Sequence, residues 1–164
     1  MTAVYTHLVV YLNDHLAGAV GALEILDSLT ARTDTPELSR FATELRKAIA
    51  EDYEELKAMM SRAGVEVSTG RRVAGWIGDK AAELKTYVDD PLNGALRTFE
   101  QIEVVAVGID GKRALWAALA AAAAGIPELQ SVDYSRLTVR ANQQRQAIEE
   151  RRLQWAITVL TKRV

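Results

Sequence analysis

Three prolines divide this chain, and each stands where an α-helix should begin or end. In "DTPEL", Thr35 precedes Pro36 at a first helical position. Glu37 then puts a carboxylate in the first turn, where the helix dipole favours it. "DDPL" repeats the arrangement with Asp90 and Pro91. "AAAAGIPEL" reads the other way: Gly125 predicts a left-handed stop, and Pro127 forbids continuation. "SRAGVEVSTG" predicts a stop at Gly64 for the same reason. Between these marks apolar residues recur at helical spacing, and strand alternation is confined to a few residues from Val65 to Val67. The pattern predicts helices over about 5–30, 36–63, 91–123 and 133–162. A shorter helix is expected over about 71–88, with Val73, Ile77, Leu84 and Val88 on one stripe. A chain of 164 residues suits one domain, residues 1–164. The expected fold is all-α, a four-helix bundle with an additional helix in the connection between the second and third helices.

The third helix is apolar on two sides, with Leu96, Phe99 and Ala106 on one and Ile102, Val105, Ile109 and Trp116 on the other. Such a helix is buried between layers or shared between subunits. The 71–88 helix is one candidate to cover the second face. A homodimer through an apolar helix face is the other.

Polar residues that interrupt the inward stripes carry the most information. His15 interrupts Leu8, Leu12, Ala19, Leu23 and Leu26 in the first helix, and Asp52 lies mid-stripe in the second. Glu103 and Asp110 share a stripe of the third helix, with Glu100 at its border. Gln144 and Arg151 interrupt Leu137, Ala141, Ile148, Trp155 and Val159 in the fourth. Buried ionised groups are costly unless paired. A buried network of His15, Asp52, Glu103, Asp110, Gln144 and Arg151 is therefore expected. Helix order leaves two registers open. If the 71–88 segment crosses the bundle, Asp110 and Gln144 share a level with His15 and Asp52. If the helices simply alternate, Glu103 and Arg151 do.

Composition excludes several function classes. Lys and Arg total 20 against 22 Asp and Glu, so no strong field points to nucleic acid. The absence of cysteine removes disulfides, thiolate nucleophiles and the common structural zinc sites. No Gly-x-Ser-x-Gly supports serine-based catalysis. The N-terminal residues lack a signal-peptide pattern, and no uncharged apolar run reaches the roughly 18–20 residues of a membrane span. A cytoplasmic protein is expected.

Two helical pairs, an intervening segment long enough to cross the bundle and mid-helix carboxylates resemble the ferritin-like superfamily. More narrowly, "YLNDHLAGAVGALEIL" and "GIDGKRALWAAL" resemble small bacterial ferritin-like proteins of unknown function. The metal-binding members of that superfamily carry a Glu on each of two helices and a Glu-x-x-His on each of the other two. Here Glu51 is followed at that spacing by Glu54, and Gln146 by Glu149, with no histidine in either place. The fold carries over, and no metal ligand does so residue by residue. Arg151 argues further for an ion-paired interior, because a guanidinium beside a divalent cation is electrostatically unfavourable. It would instead form a fork-shaped pair with Asp52, Glu103 or Asp110. The expected protein is metal-free and without cofactor, and structural, interacting or ligand-binding rather than enzymatic. A small-molecule ligand would sit between the third helix and the 71–88 helix, lined by Trp76 or Trp116. The alternative is a carboxylate-rich oxidoreductase holding iron or manganese on His15, Asp52, Glu100 and Glu103.

Overall fold

In the computed structural model, residues 5–32, 34–68 and 94–163 are described. Four long helices dominate: α1 (Thr6–Thr30), α2 (Pro36–Arg62), α3 (Ala95–Ala122) and α4 (Tyr134–Leu160). No strand occurs among the described residues, so the all-α reading holds there. The expected 71–88 helix and the Asp90–Pro91 start lie outside them. Each helix has 25 to 28 residues and is therefore about 40 Å long.

Local chemistry accounts for most helix ends. Pro36 occupies the first turn of α2, although Thr35 caps it through backbone only. Asp133 caps α4 by accepting a hydrogen bond from the Arg136 N–H at 2.9 Å. Gly64 takes a left-handed φ of 66° after α2. The Val65 N–H donates back to the Met60 carbonyl at 2.8 Å, and the Gly64 N–H to Ser61 at 3.2 Å. That pairing satisfies carbonyls the helix leaves open. Gly125 differs from expectation, because its φ is not positive. The alanine-rich end of α3 instead tightens into two 3-10 turns, Ala123–Gly125 and Pro127–Leu129. These turns drive Ile126 and Leu129 into the core.

Two clusters of buried side chains set the direction of every helix. One gathers Leu12 and Leu16, Leu56 and Met59, Trp116 and Leu119, and Leu137 and Ala141. The other gathers Ile25 and Leu29, Leu38 and Leu45, Ile102 and Val105, and Ile148. The start of α1 therefore meets the end of α2, the end of α3 and the start of α4. So α1 and α4 run one way, and α2 and α3 the other. Val65 lies in the first cluster, whereas Gly94 lies beside Arg32 at the opposite end. The chain between them thus joins opposite ends of the helices, which selects the crossing register.

Helix α3 packs along both α1 and α4, which explains its two apolar faces. Thr98, Ile102, Val105, Ile109, Trp116 and Leu119 are all buried, as are Phe99 and Ala106. Among the described residues α1 alone is long and apolar enough to cross a membrane by length and composition, with mean hydropathy 1.2. Asp14, Glu24 and Asp27 interrupt its apolar residues, so it contains no long uncharged run. In the structure Leu12, Leu16, Leu26 and Leu29 are spent on the core.

Candidate functional site

Between the two apolar clusters lies a polar layer built on Asp52, which is only 3% exposed. Its position follows from the α2 stripe, where Leu45, Ile49, Leu56 and Met59 take the same face. The Lys112 ammonium of α3 donates to Asp52 Oδ2 at 2.5 Å, and Gln144 Nε2 of α4 to the same oxygen at 2.9 Å. Arg140 Nη2 donates to Asp52 Oδ1, and Lys112 also donates to Gln144 Oε1. At the rim, Arg140 Nη1 lies 3.6 Å from Glu51. Two cations thus face two carboxylates, and the layer is neutral as a whole. Burial pushes the Lys112 ammonium below its usual value, with Asp52 acting against that shift and Arg140 adding to it. Two buried N–H groups nearby in sequence, Trp116 Nε1 and Arg140 Nε, have no acceptor among the described residues.

Of the six residues expected to form an interior network, the structure joins Asp52 and Gln144. The other four lie elsewhere. Asp110 and Glu103 stand at the outer border of α3, with more than two-fifths of each side chain exposed. Asp110 bonds Arg113 at 2.8 Å and Arg145 at 2.9 Å. Burial alone would raise its carboxyl, but those two guanidinium bonds hold it below the ordinary range. Glu103 accepts from Arg152 at 2.9 Å. Arg151 lies over the Phe41 ring, 5.4 Å from its centre, and reaches no interior carboxylate. It lies only about 20° around the helix from Gln144 and about 60° from Ile148, so its long side chain leaves the stripe on the α2 side.

His15 is half-buried and meets the Tyr11 ring edge-on, with centroids 4.6 Å apart. Burial lowers its basicity, and Asp14 opposes the shift. Leu16, not His15, takes the central position on the inward face of α1. The alternative metal set also comes apart. Glu103 lies nine residues before Lys112 on α3, about 14 Å along the axis from the Asp52 level, and half-buried Glu100 lies farther still. Among the described residues no three His, Asp or Glu side chains converge as metal ligands would. The di-metal arrangement of the resembled superfamily does not fit a carboxylate whose oxygens already face an ammonium and a guanidinium.

Sequence reasoning missed Lys112 and Arg140. Lys112 continues the 102, 105, 109 spacing and precedes Trp116 by one turn, so the second α3 stripe carried the signal. Arg140 is one turn before Gln144. Along the outer side of α3 and α4 runs a second ionic array. Arg113, Asp110, Arg145, Glu149, Arg152 and Glu103 alternate in sign along it. Hydrogen bonds from Arg152 and Arg145 pull the Glu149 carboxyl down to about 2. Set against known protein families, curated proteins and solved structures, the chain matches none.

Proposed function

We propose that this chain is a single-domain, ferritin-like four-helix bundle that acts by binding, as a structural or interaction protein, and not by metal chemistry. One observation carries the reading: at mid-bundle, Lys112 and Arg140 occupy both oxygens of the buried Asp52. Metal-binding bundles place ligands of neutral or negative charge at that depth. Here the protein supplies the positive charge itself, from α3 and α4. The antiparallel neighbours and the end-to-end connection between α2 and α3 support the ferritin-like topology. A cytoplasmic setting fits a chain without cysteine. Pairing with a second copy supplies the simplest interaction, and an apolar helix face its surface.

The test is elemental analysis of protein purified without chelator, repeated after anaerobic loading with ferrous iron or manganese. The expected result is no metal retained through desalting and an unchanged melting temperature. Near-stoichiometric metal, with a thermal stabilisation that Asp52→Ala abolishes, would overturn the reading in favour of an oxidoreductase.

A further inference from the structure

Just beyond α2 the chain is held by contacts that neither helix packing nor the ion layer supplies. After the left-handed Gly64, Val65 turns inward and is buried in the first apolar cluster, which also contains Leu12 and Leu16 of α1. Glu66, Val67 and Ser68 then lie exposed. The half-buried Asn13 of α1 reaches this stretch. Its Nδ2 donates to the Glu66 carbonyl at 3.1 Å, and its Oδ1 accepts the Ser68 N–H at 2.8 Å. The same Nδ2 donates to the Val9 carbonyl of its own helix at 2.9 Å, which fixes the direction of the amide.

The carboxamide bonds the carbonyl before Val67 and the N–H after it, as a neighbouring strand does in parallel pairing. Residues 65–67 carry the alternation of a strand, and their partner is a side chain. Both ends of the amide are needed. Ionised aspartate has no donor for Glu66, and leucine, the nearest apolar shape, has neither group. Among the described residues, these two bonds and the burial of Val65 are what tie the stretch to α1.

We infer that residues 64–68 form a strap over the first apolar cluster, and that Asn13 is the latch that holds it to α1. The strap opens as a unit. Breaking two surface hydrogen bonds and withdrawing Val65 uncovers part of the cluster while the four helices stay packed. It uses no residue of the ion layer, so it stands whether or not the chain binds metal.

Native-state hydrogen exchange on the full chain, read residue by residue by NMR, tests it. In the wild type the Ser68 and Val65 amides should both be protected, with exchange that depends only weakly on added urea. The buried Ile49 and Ile109 should show the steep dependence of global unfolding. Asn13→Ala should speed Ser68 exchange about tenfold, with unchanged far-UV circular dichroism. The Val65 N–H bonds the Met60 carbonyl at 2.8 Å and not Asn13, yet it should speed up by the same factor, because the strap moves as one. Asn13→Asp, which loses only the donor, should move both amides the same way by less. A wild-type Ser68 that exchanges like an unstructured peptide overturns the proposal. So does a Val65 amide that neither variant moves, or a urea dependence at both amides as steep as at Ile49 and Ile109.

Discussion

Asp52 and Glu149 are each held by two cationic side chains, and they do opposite work. Asp52 lies in the middle of the four helices with Lys112 and Arg140 upon it. Glu149 lies on the outer α3–α4 groove between Arg145 and Arg152. The contact chemistry is nearly the same, and only solvent differs. In water a charge that loses its partner is rehydrated, so the pair is worth little. In the interior the orphaned charge keeps its desolvation penalty, so the pair becomes indispensable without being a net source of stability. Ion-pair number is thus a poor guide to what holds this fold; depth decides.

The sharpest way to break that comparison is to remove one cation from each place. Lys112→Ala should cost about 3–5 kcal/mol in urea unfolding, because Asp52 stays buried with less compensation. Arg145→Ala should cost no more than about 1 kcal/mol, with the smaller loss at high salt. Similar losses would show that the interior layer is solvated in solution. Replacing Asp52 by Leu, Lys112 by Met, Arg140 by Met and Gln144 by Leu together should recover most of what Lys112→Ala loses, since an apolar group of similar volume in place of a whole buried ionic cluster is often neutral.

The same contrast explains which parts of the molecule were legible in its sequence. For the four described helices, boundaries were readable to within a few residues, because Pro36, Gly64 and the apolar stripes act locally. Asp52 and Gln144 were readable because each interrupts a stripe whose other members are apolar. Arg151 and Glu103 were misplaced for a geometric reason. Both lie within about 60° of buried residues on their own helices, and a long side chain at that border reaches outward to solvent or across to a ring. Lys112 was hidden by choosing the wrong one of two apolar faces on α3. Only packing against both α1 and α4 settles that choice. Gly125 shows the limit of residue-type signals, since a 3-10 turn satisfied the helix end without a left-handed residue.

Acid titration sharpens the comparison at lower energy. The folded Glu149 carboxyl, at about 2, lies below its unfolded value of 4.5. The deprotonated form is therefore favoured in the fold. Its contribution is complete above pH 4.5 and is lost as pH falls toward 2. Wild-type protein should lose stability more steeply across that window than Glu149→Gln, most visibly at low salt. His15 contributes with the same sign, starting from a higher pH. Its folded pKa is depressed below 6.5, so its neutral form is favoured in the fold and stability falls as pH drops below that value. Equal slopes for wild type and Glu149→Gln would mean that the arginines release the carboxylate in solution.

The smallest effect tests the backbone next to the ion layer. Gly111 lies mid-α3 beside Lys112, and a Cβ there meets nothing within 4 Å. Its φ is not positive, so alanine adopts the same conformation without strain. Gly111→Ala should therefore stabilise the chain by about 0.5–1 kcal/mol, through lower unfolded-state entropy and better helix propensity. Gly94→Ala should act in the other direction. There the space is also adequate, with Arg32 Nη1 at 3.7 Å, but φ is +80° and the residue must remain left-handed. Opposite signs in thermal unfolding would show that α3 is a regular helix straight through the Lys112 level. A loss at Gly111→Ala would mean that α3 bends there, and that the ion layer holds a kinked helix in place.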